Sequence, residues 1–180
     1  MKAKPKLSRE AWVSEALKLL AEKGASAVGV EPLATRLGVT KGSFYWHFRD
    51  LAELHAAMRA EWTERSTEYF IKRVTEAGGD ARARLVKLLQ MTSNKPSQLE
   101  RAMRAWAVTN AETAAHVAGA DSRRTDFVAA LFVEIGHDAL TAAAYARLTA
   151  SFVIGQMMSG LEGDERYNEI IAAAVLKTGA

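Results

Sequence analysis

The densest group of chemically capable side chains lies in residues 38–48, which read GVTKGSFYWHF. Thr40 and Lys41 bring a hydroxyl and an ammonium group, and Tyr45, Trp46 and His47 follow as three adjacent polar rings. Groups of these kinds contact phosphate oxygens and the edges of bases. The stretch therefore has the chemistry of a nucleic-acid contact, provided that the fold presents these side chains to solvent.

A helical wheel indicates which rings the fold presents. At about 100° per residue, Phe44 and Phe48 share one face, and we predict that both pack inward. Trp46 then points nearly opposite, with His47 on one flank and Tyr45 on the other. We predict that Trp46 faces outward, whereas the pattern is equally compatible with a Tyr45 that packs against the next helix. His47 also suits the C-terminal end of a helix as a cation.

Three short helices are predicted to carry this stretch. The first covers 8–23, the second 30–37 and the third about 41–47, with Thr40 as its N-cap. Gly38 begins the turn between the second and third helices and suits left-handed backbone. Two short helices joined in this way form a helix-turn-helix candidate, whose second helix fits the DNA major groove.

The rest of the chain also has helical period, without a strand-like alternation of useful length. We predict one long helix capped by Asp50, then a break at the Gly-Gly-Asp of 78–80. The predicted helices from 51 onward cover 51–76, 81–92, 97–107, 109–118, 122–136, 138–160 and 164–178. The predicted fold class is all-α, with a three-helix helix-turn-helix domain over residues 1–50 and a helical bundle over residues 51–180.

Composition limits the cellular setting. The 180 residues include no Cys, so neither disulfides nor thiolate chemistry is expected. The basic start MKAKPKL leads into no apolar segment of a secretory signal, and no apolar run approaches the roughly 20 residues of a membrane helix. We expect a cytoplasmic protein that does not enter the membrane.

Charge is distributed unevenly along the chain. Residues 1–50 hold nine Lys and Arg against five Asp and Glu, whereas residues 51–180 hold fifteen against sixteen. A basic N-terminal end favours a polyanionic partner. If the partner is DNA, we expect Lys2, Lys4 and Lys6 to follow its backbone or to enter a minor groove as an arm.

Enzyme chemistry finds little support in the sequence. The four His residues have no metal-binding spacing, and there is no nucleophile elbow, phosphate-binding loop or dinucleotide fingerprint. We therefore predict neither a catalytic site nor a metal or cofactor. Two classes remain open: a DNA-binding regulator and an all-α small-molecule binding protein without operator binding.

Residues 8–54, above all LATRLGVTKGSFYWHFRDLAEL, resemble the DNA-binding domain of the TetR family of bacterial transcriptional regulators. The order small residue, aromatic, Tyr, aromatic, His, Phe is specific to that family. The resemblance implies a homodimeric repressor that binds a double-stranded palindromic operator and is released by a small-molecule effector bound in the C-terminal domain. Carried over by position, it implies DNA contacts by Thr40, Lys41, Gly42, Ser43, Tyr45, Trp46 and His47.

Two positions depart from the family pattern. Family members usually carry a phosphate-binding Lys where this chain has Leu51, and we expect Arg49 to supply that charge. The second helix usually opens on Thr or Ser, whereas here it opens on Gly29, which removes a cap and a hydroxyl for phosphate. Both departures bear on DNA affinity rather than on the mode of docking.

The C-terminal part also resembles TetR ligand domains, less specifically. Bulky or polar residues that could line a cavity between its helices are Trp62, Met91, Met103, Trp106, His116 and Phe127, although each alone also fits an ordinary core. In the family the last two helices pair with their copies across a two-fold axis. Small and apolar residues at helical spacing make the candidate dimer interface: Ala142, Ala146, Ala150, Val153, Ile154, Met157, Ile170, Ile171 and Ala174. The same residues could instead form an intramolecular core.

Overall fold

The computed structural model describes residues 7–93 and 98–159 and, beyond them, residues 166, 170, 171, 173 and 174. Every regular element in these ranges is helical, so the predicted all-α class is confirmed. The helices are α1 (Arg9–Lys23), α2 (Val30–Leu37), α3 (Lys41–Tyr45), α4 (Leu51–Thr63), α5 (Tyr69–Glu76), α6 (Ala81–Ser93), α7 (Gln98–Thr109), α8 (Ala111–Ile135) and α9 (Ala139–Ser159). The five described residues after 159 are helical too.

Contacts divide the chain into two compact units. The first consists of the chain up to Thr63 together with Gln98–His116, and the second of Glu64–Ser97 and the chain from Val117 onward. The first unit is larger than the predicted helix-turn-helix domain because α4 and α7 both pack against α1. A functional boundary after residue 50 stays a prediction.

Local signals define the helix ends of the first unit. The hydroxyl oxygen of Ser8 accepts a hydrogen bond from the Ala11 amide at 3.3 Å, and Asp50 Oδ1 accepts one from the Glu53 amide at 2.8 Å. These two bonds confirm the predicted caps of α1 and α4. Thr40 occupies the N-cap position of α3 in extended backbone, but its side chain makes no capping hydrogen bond.

Aromatic rings form the centre of the first unit. Trp12 and Phe44 are fully buried, and their ring centroids lie 5.4 Å apart in an edge-to-face arrangement. Phe48 stacks on Phe44 at 5.3 Å and is 1% exposed. These contacts attach the short α3, which is too short to be stable alone, to α1.

A buried polar cluster joins α4 to α7 and to the first turn of α8. Glu100 accepts hydrogen bonds from the indole of Trp62 at 3.1 Å and from Arg104 at 2.8 Å. Arg59, whose side chain is almost completely buried, donates to Glu112 Oε2 at 2.6 Å. Since an unpaired buried charge is costly, these partners fix α4 against α7.

Helix α8 differs from its prediction. Separate helices over 109–118 and 122–136 were expected because Gly119 and Asp121 resemble a break, but α8 runs unbroken from Ala111 to Ile135. A helical Gly costs only about 1 kcal/mol relative to Ala. The burial of Val117 and Ala120, on either side of Gly119, outweighs that cost.

The predicted long helix over 51–76 is helical throughout but not uniform. A π-helical turn, Glu64–Glu68, separates α4 from α5. The Arg124 guanidinium of α8 donates to the Ser66 carbonyl at 3.3 Å, to the Ser66 hydroxyl at 2.9 Å and to the Thr67 hydroxyl at 2.9 Å. An inserted side chain that binds a helical carbonyl accounts for the local change of winding.

The core of the second unit is built from α6, α8 and α9. Its buried members are Ala81, Leu85, Leu89, Val128, Leu131, Phe132, Ala142 and Ala146. Ala142 and Ala146 were predicted at a dimer interface, yet both are completely buried within their own chain. That assignment is wrong for these two residues, because their small side chains bring α9 close to α6.

We predict that Phe44→Ala destabilises the first unit by about 3–5 kcal/mol, because it leaves a cavity between Trp12 and Phe48. Urea unfolding followed by circular dichroism measures the change. The matched variant is Trp46→Ala, two positions further on, where the side chain is 87% exposed. A surface change of that kind is expected to stay within about 0.5 kcal/mol. Equal losses in the two variants would contradict the assigned core.

Candidate nucleic-acid interface

The turn between α2 and α3 has the geometry that its glycine predicts. Gly38 adopts φ 65° and ψ 36°, in the left-handed region. Its amide donates to the Thr35 carbonyl at 3.1 Å, and the Val39 amide donates to the Ala34 carbonyl at 3.0 Å. This C-terminal cap ends α2 and redirects the chain into α3, which gives the helix-turn-helix its corner.

The structure places Trp46 in solvent, as predicted. It also exposes Tyr45, for which the sequence had left both an outward and an inward position open. Trp46 is 87% exposed and Tyr45 62% exposed, whereas Phe44 and Phe48 are buried. Tyr45 makes an edge-to-face contact with the buried Phe44, at 5.3 Å between ring centroids. A large indole left in solvent contributes nothing to the fold, so this face of α3 is available to a partner.

The other predicted contact residues lie on the same segment. Thr40, Lys41 and Gly42 are exposed, and Ser43 is half-buried, as is His47 at the end of the segment. A Cβ added to Gly42 would meet only the Thr40 hydroxyl, at 3.7 Å, so nothing in the fold itself requires glycine there. The structure thus brings all seven predicted residues onto one short stretch, and their contact with DNA stays a prediction.

Lys41 already makes an ion pair within the chain. Its ammonium group makes an ion pair with the carboxylate of Glu31, in the first turn of α2. The two side chains remain largely exposed, at 57% for Lys41 and 71% for Glu31. The pair therefore sits at the solvent surface of the helix-turn-helix.

A second group of charges surrounds the start of α4. Glu53 accepts from the Arg49 amide at 2.9 Å, from the Arg49 guanidinium at 3.2 Å and from Arg9 at 3.1 Å. The Arg49 amide, and after it Arg9, lowers the pKa of the Glu53 carboxyl below its usual value. Arg49 was expected to replace the charge missing at Leu51. Its side chain is 87% exposed, but its guanidinium already binds the carboxylate of Glu53.

The described residues of the helix-turn-helix domain (the head) are close to electrical balance. Residues 7–50 contain six Lys and Arg against five Asp and Glu, so most of the excess charge of residues 1–50 belongs to Lys2, Lys4 and Lys6. Ion pairs hold Arg36 against Glu15 at 2.6 Å and against Glu22 at 2.7 Å. The head attracts a polyanion less strongly than its gross count of cations indicates.

The second unit contains an open groove of about 470 Å³ between α5 and α8. Its lining is mixed, with apolar and polar side chains facing each other: Ile71, Gly119, Ser122, Arg123, Asp126 and Phe127. Arg123 makes an ion pair with Glu68 in the π-helical turn. Of the six predicted cavity residues, only Phe127 lines this groove.

The remaining predicted cavity residues are divided between the units. Trp62, Met103 and Trp106 are buried in the first unit, and His116 is exposed there. Met91 belongs to the second unit and is half-buried. A role in ligand binding stays a prediction for all of them.

The candidate dimer residues beyond Ala142 and Ala146 are more accessible. Ala150, Val153, Ile154 and Met157 are half-buried, as is Ile171, whereas Ile170 and Ala174 are exposed. The most exposed apolar side chains of α9 lie elsewhere on its surface: Leu140 at 82%, Leu148 at 58% and Met158 at 48%. The predicted set therefore includes part of the inner face of α9 and omits its most exposed large apolar side chains, and a dimer interface on this helix stays a prediction.

Sequence reasoning missed two sets of residues. Glu31 lies ten positions before Lys41 and meets it only because the turn folds α2 back beside α3. Ser122, Arg123 and Asp126 of the groove were missed because helical period does not distinguish polar residues that line a groove from those on an ordinary solvated face. The Arg-Arg pair at 123–124, near the middle of α8, was the available signal for that site.

Within the described residues, no three His, Cys, Asp or Glu side chains come together as metal ligands. No helix of the described part is long and apolar enough to cross a membrane.

Residues 13–58 match the family described as "Bacterial regulatory proteins, tetR family". The HTH-type transcriptional regulator AcrR of Shigella flexneri is 36% identical over 47 residues. That alignment covers 26% of this chain and 22% of AcrR, so the chain matches about a fifth of its curated relative. The similarity in sequence falls on the helix-turn-helix and on the start of α4.

Similarity in fold extends over nearly the whole chain. A transcriptional regulator from Rhodococcus sp. Rha1 superposes with a TM-score of 0.75 at 20% identity, covering 96% of this chain and 95% of that one. A TetR transcriptional regulator from Legionella pneumophila gives a TM-score of 0.77 at 16% identity, covering 99% of both chains. At these identities the similarity establishes the shared architecture.

Proposed function

We propose that this chain, whose residues 13–58 match the tetR family of bacterial regulatory proteins, is a regulator rather than an enzyme and acts as a cytoplasmic, dimeric repressor. Each subunit places residues 40–47 in the major groove of one half of a palindromic operator. A small-molecule effector releases the operator by binding more tightly to the conformation that cannot dock.

The observation that carries the DNA-binding proposal is the exposed face of α3. The fold buries Phe44 and Phe48 and leaves Trp46 and Tyr45 in solvent beside the exposed Lys41. Exposing an indole and a phenol costs hydrophobic stabilisation, which is offset when both are buried against a duplex. A protein that only carried a small molecule would have no use for this face.

We predict that selection from random duplexes yields two inverted half-sites with centres about 34 Å apart, or slightly more. Binding should weaken as salt rises, because Lys and Arg displace counterions from phosphates. Trp46→Ala should lose about 1–3 kcal/mol of specific affinity, the range of a single base contact, with its fold intact.

Titration of the selected duplex and of a scrambled duplex, at two salt concentrations, measures both quantities. Equal affinity for the two duplexes would contradict operator binding and would favour the all-α small-molecule binding protein. Unchanged operator affinity in Trp46→Ala would remove that indole from the interface.

The proposed dimer uses the outward surface of α9. Leu140, Leu148 and Met158 lie there at steps of eight and ten residues, about two and three turns, and are each about half exposed or more. Ile170 adds a further exposed apolar side chain, at 60%. Burial of such a patch against its copy is the expected source of dimer stability.

We predict that the protein sediments as a dimer and that Leu148→Glu converts it to a monomer, because two carboxylates would face each other across the two-fold axis. The control is Val108→Glu on α7, which introduces the same charge at a site 85% exposed. A dimeric Leu148→Glu protein, by sedimentation velocity, would place the interface elsewhere.

The effector site that we propose is the groove between α5 and α8. Ile71 and Phe127 supply apolar surface, and Ser122, Arg123 and Asp126 supply hydrogen-bonding groups. An amphipathic molecule with one polar end matches this lining. Arg123 also holds Glu68 of the π-helical turn, so a ligand that competes for Arg123 would act on the turn from which α5 starts.

We predict that Gly119→Leu blocks the groove, because a Cβ at this helical position meets nothing within 4 Å and the longer side chain enters the open space. A thermal-shift screen of amphipathic anions and alcohols identifies ligands of the wild-type protein. These should lose their effect on Gly119→Leu and keep it on the neighbouring surface variant Ala118→Leu. Equal shifts in all three proteins would place the effector outside the groove.

A further inference from the structure

We infer that Glu31 is a positioning residue that limits DNA affinity by holding Lys41 in an ion pair which a phosphate must displace. This inference rests on the proposed function and adds a residue to it. Glu31 lies in the first turn of α2, and Lys41 is the first residue of α3. Their ion pair closes the solvent side of the helix-turn-helix between the two helix starts.

The ion pair between Glu31 and Lys41 contributes little to the stability of the fold. Both side chains are more than half exposed, and exposed ion pairs contribute little to stability because water screens them and ordering long side chains costs entropy. Arg36 makes a useful contrast, since Glu22 and then Glu15 raise its pKa and the three residues fasten α2 to α1. The carboxylate of Glu31 instead offsets the positive charge that Lys41 places at the start of α3.

The electrostatic consequence is direct. A phosphate that approaches Lys41 meets a cation whose charge Glu31 already neutralises, and it also meets the repulsion of the carboxylate itself. Residues 7–50 carry an excess of only one positive charge, so removal of Glu31 doubles that excess. Because the attraction is to the phosphate backbone, Glu31 should restrain binding to operator and to unrelated DNA alike.

Other positions of the helix-turn-helix domain also weaken its attraction to phosphate. Gly29 supplies no hydroxyl at the start of α2, and Leu51 supplies no cation at the start of α4. Arg49, the nearest substitute, shares Glu53 with Arg9. The head is therefore built for modest attraction to phosphate, and Glu31 controls the cation that lies on α3 itself.

Four proteins test this inference: the wild type, Glu31→Gln, Lys41→Gln and the double variant. Each is titrated with a generic duplex of random sequence and with the selected operator, over a series of salt concentrations. Glu31→Gln should raise affinity for both duplexes by about fivefold at low salt, the effect of one unit charge at about 4 Å in water. It should also steepen the dependence of log affinity on log salt by up to about 0.9, the value of one additional neutralised phosphate.

The double variant separates an action through Lys41 from simple loss of a negative charge. In the Lys41→Gln background, Glu31→Gln should give a clearly smaller gain and leave the salt slope unchanged. Glu22→Gln removes a carboxylate from the same head without touching Lys41, and should change affinity less than Glu31→Gln does. A cooperative thermal transition shows that each variant folds, and the midpoints of Glu31→Gln and Lys41→Gln should stay at the wild-type value.

Equal gains from Glu31→Gln with and without Lys41, or no gain in either background, would overturn the inference. The generic duplex keeps this result separate from the proposed function. A protein without sequence preference fails as an operator-binding repressor, yet it still reports whether Glu31 restrains Lys41. If none of the four proteins bound DNA at low salt, Lys41 would have no phosphate to bind and both proposals would fall.

Discussion

The contact between Trp12 and Phe44 is the interaction on which the candidate interface depends. Helix α3 has five residues, one short turn and a half, and has no stability of its own. It exists because Phe44 is buried against Trp12 of α1 and against Phe48 in the turn that follows. Once the two Phe are fixed inward, the helical period obliges Trp46 to face solvent. The exposure of Trp46 is thus a consequence of the core beneath it.

Much of the first unit could be predicted because its signals are local. The period of α1 and α2, the cap residues Ser8 and Asp50 and the left-handed Gly38 each act within a few residues. The opposite facing of Phe44 and Trp46 follows from 100° per residue alone. Tyr45 could not be decided in this way, since its position on the flank depends on how much room the next helix leaves.

The errors have a common physical origin in tertiary context. Gly119 was read as a break, but burial of its neighbours holds α8 together. Ala142 and Ala146 were assigned to a partner subunit, yet small residues favour any close helix pair, and here the pair is α9 with α6. A period identifies which residues share a face, and only the fold decides what that face meets. The ion pair of Glu31 with Lys41 is of the same kind, since no spacing rule connects positions 31 and 41.

The most direct test of the account is whether DNA covers Trp46. The chain has four Trp, of which Trp12, Trp62 and Trp106 are 0%, 1% and 7% exposed, so Trp46 supplies the emission that acrylamide can reach. Fluorescence quenching by acrylamide is measured for the free protein and for its saturated complex with the selected duplex. We predict a quenchable fraction that is absent in Trp46→Phe and that disappears when the duplex binds. A fraction that stays fully quenchable in the saturated complex would contradict docking through this face of α3.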